Sequence, residues 1–69
     1  MIKRFDELFT IRNGMITPKA TVKINGVTMT PGVSFGSGMS FGGIDLSRFI
    51  GRNFVVDLHN GIYIIQGVA

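Results

Sequence analysis

The sequence predicts a single, mainly β domain over residues 1–69, a small antiparallel meander or partly open barrel of about five or six short strands, with a helical turn near residues 45–50. Three observations predict it. Three of the four asparagines stand directly before glycine, at Asn13-Gly14, Asn25-Gly26 and Asn60-Gly61. Composition alone would give about 0.6 such pairs, and Asn-Gly is the strongest short-range signal for a two-residue type I′ hairpin. The residues flanking these pairs alternate in the two-residue period of a pleated strand. Pro18 and Pro31-Gly32 then interrupt the chain at strand length.

The N-terminal segment has two readings. Ile2, Phe5, Leu8 and Phe9 share one face of a two-turn amphipathic helix, which would form only by docking that face on the rest. Alternatively, Leu8 to Arg12 is a strand entering Asn13-Gly14 and pairing with Met15 to Thr17, with Ile11 opposite Ile16 and Thr10 opposite Thr17. Pro18, lacking an N–H, ends that ladder.

Around Asn25-Gly26, a two-residue loop sets Ile24 opposite Val27, Lys23 opposite Thr28 and Val22 opposite Met29. Val22, Ile24, Val27 and Met29 share one face; Thr21, Lys23, Thr28 and Thr30 share the other. A slip of one residue would exchange the faces, so the register is well specified.

From Val33 to Phe41 large residues alternate with small ones, and Val33-Ser34-Phe35-Gly36 is echoed six residues later by Met39-Ser40-Phe41-Gly42. On a continuous strand both Phe rings would project to one side. Glycine in a strand marks a bend, a bulge or close approach of another backbone. The stretch therefore reads as a curved strand or a loose hairpin turning at Gly36-Ser37-Gly38, or as a surface where Phe35, Gly36, Gly38 and Phe41 meet a partner.

Asp45 is placed to cap a helical turn through Leu46–Ile50, with Gly51 at its C-terminal stop. The last hairpin sets Leu58 opposite Tyr63 and Val56 opposite Ile65 on one side, and Asp57 opposite Ile64 and Val55 opposite Gln66 on the other. Both of its faces carry apolar residues, which makes it a central strand pair or makes its second face an interface.

Length and composition narrow the function. A single core this small contributes only about 3–5 kcal/mol net, and small chains usually add disulfides, a metal or oligomerisation. With no cysteine and one histidine, His59, disulfides and thiolate or structural zinc sites are ruled out. With 45% of residues hydrophobic, 16% charged and a mean hydropathy of +0.37, one small core cannot hide all of the apolar surface. Self-association or a stable protein partner is the expected remedy. The charge of +3 comes from scattered residues rather than a basic run. No apolar stretch approaches the roughly 18 residues of a membrane span, and the acidic pair Asp6-Glu7 interrupts the opening where a secretion signal would turn apolar. The expected location is the cytoplasm, with no membrane contact.

Signals for catalysis are weak. Asp57 and His59 fall on the same side of a strand, as in the orienting half of a hydrolytic triad, but no serine or threonine lies in a nucleophile elbow. Gly36-Ser37-Gly38 and Gly42-Gly43 lack the Lys-Ser/Thr and long helix of a phosphate loop. No enzyme activity and no cofactor are expected. The reading is a non-enzymatic, self-associating binding protein, a role common among small accessory or inhibitory proteins, including those of mobile elements. The alternative is a small β-barrel that binds nucleic acid through Lys23, Arg48, Phe49 and Arg52, with Phe54 and Tyr63 nearby.

Overall fold

All three Asn-Gly pairs turn hairpins. The central residues all have positive φ, 53° and 75° at Asn13-Gly14, 47° and 80° at Asn25-Gly26, and 52° and 79° at Asn60-Gly61. That is the type I′ pattern, whose twist suits the flanking strands. The structure is a computed structural model that describes residues 1–36, 38–41 and 43–69, with Phe41 described by its backbone alone.

The expected strands resolve into ten short ones: β1 (Ile2–Arg4), β2 (Phe9–Arg12), β3 (Met15–Pro18), β4 (Val22–Ile24), β5 (Val27–Met29), β6 (Phe35–Gly36), β7 (Ser40–Phe41), β8 (Ile44–Asp45), β9 (Asn53–His59) and β10 (Ile62–Val68). They form a five-stranded sheet ordered β1-β9-β10-β4-β5, a three-stranded sheet ordered β2-β3-β6, and a β7-β8 ladder. The domain is mainly β, and its described strands do not close into a barrel.

The two N-terminal readings each hold in part. Phe5–Leu8 is a single helical turn, α1, set between β1 and β2. Its start is held by the Arg4 amide donating to Glu7 Oε2 at 2.7 Å and the Phe5 amide donating to the Arg52 carbonyl at 3.0 Å. Phe5, Leu8 and Phe9 are buried, as the helical face requires, but Ile2 is 54% exposed because it belongs to β1, opposite Val55.

The β2-β3 and β4-β5 registers are those expected from the turns, down to Ile11 opposite Ile16 and Val22 opposite Met29. The β9-β10 register holds as far as Val56 opposite Ile65 and then shifts. Val55 pairs with Gly67 instead of Gln66, since Gln66 is the extra residue of a β-bulge. β10 also pairs with β4 in parallel, Tyr63 beside Val22 and Ile65 beside Ile24, an arrangement that the hairpins alone do not announce.

One face of the five-stranded sheet supplies Val22, Ile24, Met29, Phe54 and Val56 to the core. The other elements contribute Phe5, Leu8, Phe9, Ile16, Phe35 and Leu46. Rings run in contact through it: Phe9 to Phe5 at 4.9 Å, Phe5 to Phe54 at 6.2 Å and Phe54 to Phe49 at 6.1 Å between centroids. Among the described residues no polar side chain is buried. The Cα radius of gyration is 10.8 Å. A self-contained globule of this length is expected near 11 Å, so the chain closes its core without lending an arm elsewhere.

Candidate interaction surface

The stretch rich in glycine and Phe does not form one face. Phe35 is core, 3% exposed and paired with Ile16 in the β3-β6 ladder, which corrects its placement on a surface. The six-residue echo fails because β6 pairs with β3 whereas β7 pairs with β8, so the two copies lie in different ladders. Gly36 sits opposite Met15, and a Cβ there would meet only the Met15 sulfur, at 3.7 Å. Gly38 has φ +86° with open space around it, so it is needed for its backbone conformation and not for close approach. The expected turn residue Ser37, Gly42 and the Phe41 side chain lie outside the described residues.

What organises this region is Asp45. It caps the 3-10 turn Leu46–Phe49, accepting from the Ser47 hydroxyl at 2.6 Å and the Ser47 amide at 3.0 Å. The Ser47 hydroxyl contributes most to holding the carboxyl below its ordinary value of 3.8, with the Ser47 and Gly38 amides and the charge of Arg48 adding to it and partial burial opposing. Gly51, at φ +82°, ends the turn as the sequence predicts, and the Arg52 amide donates to the Phe49 carbonyl at 2.9 Å.

The four residues proposed for nucleic acid are not gathered together. Arg48 and Arg52 are exposed at the 3-10 turn and just before β9, while Phe49 is half-buried with its ring against Phe54. Lys23 projects from the five-stranded sheet in the row of Ile64 and Asp57. Asp57 is five residues beyond Arg52, about 17 Å along an extended strand. Phe54 is buried and Tyr63 packs partly against the core, so neither ring is presented as a stacking platform.

The five-stranded sheet, the widest among the described residues, turns its outer face away from the core. Pleating that sends Val22, Ile24, Phe54 and Val56 inward sends their neighbours out. In register across the strands run Asp57, Ile64, Lys23 and Thr28. Beside that row lie Ile62 opposite His59 and, on the other side, Ile2 opposite Val55. None of these residues is buried. The β9-β10 pair is therefore central in its sheet and yet has a second face on which Val55, Ile62 and Ile64 are half-buried, with the exposed Ile2 of β1 beside Val55. The apolar residues on both sides of this hairpin were the signal for it in the sequence. Ile2 was missed, because helical spacing placed it inside.

Asp57 and His59 are both exposed on this face, and no group of three His, Cys, Asp or Glu that could hold a metal occurs among the described residues. No described helix is long and apolar enough to cross a membrane. A cavity of about 70 Å³ at the core margin is lined by Ile24, Ile44, Phe49, Phe54, Ile65 and Val68, and wider recesses open on the surface, among them one of about 360 Å³ bordered by Arg4, Phe5, Asp6, Ile11, Ile50 and Gly51. Comparison with protein-family models, curated proteins and solved structures finds no match to this chain.

Proposed function

We propose that this protein is a non-enzymatic binding and assembly module that works through protein–protein contact on the outer face of its five-stranded sheet. One observation carries the reading: a central strand pair leaves Val55, Ile62 and Ile64 only half-buried on its outer face, with Ile2 54% exposed beside them. An antiparallel strand pair that faces water on one side normally alternates apolar-in with polar-out, and the antiparallel β9-β10 pair at the centre of this mixed sheet carries apolar residues on both sides. Contiguous apolar surface on a small domain marks an interaction site.

Self-association is the expected form of that contact, in keeping with a core too small to shelter 45% hydrophobic residues. Light scattering at micromolar concentration should give a mass above the 7.5 kDa of one chain, and Ile64→Glu should return it to the monomer without loss of secondary structure. A wild-type monomer whose stability and behaviour are indifferent to Ile64→Glu would refute the reading. So would tight binding to a nucleic acid that collapses between about 50 and 200 mM salt, the mark of phosphate contacts rather than an apolar face.

A further inference from the structure

The order of charges across the outer face identifies what covers it. Asp57, Ile64 and Lys23 are consecutive Cα partners on β9, β10 and β4. They form one row of carboxylate, isoleucine and ammonium, with neighbouring strands about 4.8 Å apart. Ile62 lies on β10 in the row beside it, next to His59. We propose that a second copy of this chain packs on this face as an isologous dimer whose two-fold axis runs along β10. The proposal rests on the sheet-face reading above and adds the partner and its orientation.

An isologous contact requires a surface complementary to itself. Two sheets packed face to face offer two families of two-fold axis in the plane between them. An axis across the strands through this row lays Asp57 on the partner's Asp57 and Lys23 on the partner's Lys23, opposing like charges at both places. An axis along β10 exchanges β9 with β4 instead. Each Asp57 then faces the partner's Lys23, twice over by symmetry, and Ile62 and Ile64 on the axis each meet their own copy. Like charges opposed at an interface cost several kcal/mol, whereas opposed unlike charges fix the register. Sheets stack about 10 Å apart, a gap that the four-carbon stem of Lys23 can largely span. The usual crossing of about −30° between packed sheets places the axis within about 15° of β10 and leaves these pairings in reach.

The charges also account for the choice of a second copy over an unrelated partner. A face meant for a different acidic or basic surface would carry one sign. Here the two signs flank the apolar strand symmetrically, so the pattern reads the same after rotation about that strand with the signs exchanged, which is what the copy opposite presents.

Sedimentation equilibrium on the full chain tests this with four proteins: wild type, Asp57→Lys, Lys23→Asp and the double exchange, each checked for folding by circular dichroism. Each single variant opposes like charges twice in its own dimer and should self-associate about tenfold or more weakly than wild type. The double exchange restores the pairing and should return within a few-fold of wild type. Mixing the two single variants should give a heterodimer tighter than either alone. Folded single variants that dimerise like wild type would overturn the proposal, and so would a double exchange no better than the singles. If Ile64→Glu still abolishes association in that case, the sheet-face reading stands and only the partner geometry fails. If Ile64→Glu has no effect either, both fail.

Discussion

The Phe5 ring stands 6.2 Å from the Phe54 ring, inclined by 37°, joining the single turn of α1 to the first core residue of β9. Both rings are 1% exposed, and each touches a second ring, Phe9 and Phe49 respectively. Truncating a buried Phe to Ala typically costs about 3–5 kcal/mol. That equals the whole net yield of about 3–5 kcal/mol expected from one core of this size. Phe54→Ala should therefore be largely unfolded at 25 °C by circular dichroism, while Phe49→Ala, at a half-buried position, should fold with a lower urea midpoint. A cooperative, wild-type-like urea transition for Phe54→Ala would show that the ring chain is not central.

Gly26 has φ +80° and nothing within 4 Å of the position of a Cβ, so a side chain there meets conformational strain and no neighbour. Gly26→Val should cost about 1–3 kcal/mol in urea unfolding, and Gly26→Asn distinctly less, because Asn tolerates the left-handed region. Equal costs for the two would place the penalty outside the turn.

The two glycines of the β6–β7 stretch should part company. Gly36→Ala puts a methyl at ordinary contact distance from the Met15 sulfur and should shift stability by no more than about 1 kcal/mol. Gly38→Val must hold a β-branched residue at φ +86° and should cost more, about 1–3 kcal/mol. Urea midpoints of the two variants, measured side by side, decide the order.

Asp45 has its folded pKa held below 3.8, first by the Ser47 hydroxyl. A depressed carboxylate pKa stabilises the fold above the unfolded value, and that contribution disappears as pH falls through the folded value. Melting temperature should consequently drop below about pH 4 in the wild type. Asp45→Asn, which retains an acceptor oxygen for the Ser47 amide but cannot titrate, should show a shallower acid limb and a lower plateau at neutral pH. An unchanged slope would show that Asp45 does not set the acid limb.

If association runs through the sheet face, folding and assembly are linked by mass action, and melting temperature should rise with protein concentration. Ile64→Glu should remove that dependence. His59→Ala, at the edge of the same face, should leave association within a few-fold of wild type, because an exposed imidazole beside the turn contributes little to an apolar contact. A His59→Ala loss as large as that of Ile64→Glu would move the centre of the interface to the Asn60-Gly61 end.

Much of the fold was legible because its signals are local. Asn-Gly fixes a turn, the turn fixes a register, and the register decides that Val22 and Ile24 point inward while Lys23 points out. Features set by distant partners were not. The parallel contact of Tyr63 with Val22 links residues from different hairpins. The bulge at Gln66 moves Gly67 opposite Val55 without a motif of its own. Phe35 and Phe41 look equivalent in sequence, but the ladder that each backbone joins is chosen by tertiary contacts. The outer face was half legible: Asp57 opposite Ile64 already showed a hairpin apolar on both sides, while the charge row became visible only once β4 was known to lie beside β10.

The position of β10 has a consequence for biosynthesis. It is the latest strand of its sheet to be made, and it lies between two earlier ones, β9 and β4. At translation rates of about 5–20 residues per second, the interval from Met29, where the β4-β5 hairpin is complete, to Val68 lasts roughly 2–8 s. Until β10 is made, the inward residues Val22, Ile24, Val27 and Met29 lack the strand that pairs with the second edge of β4.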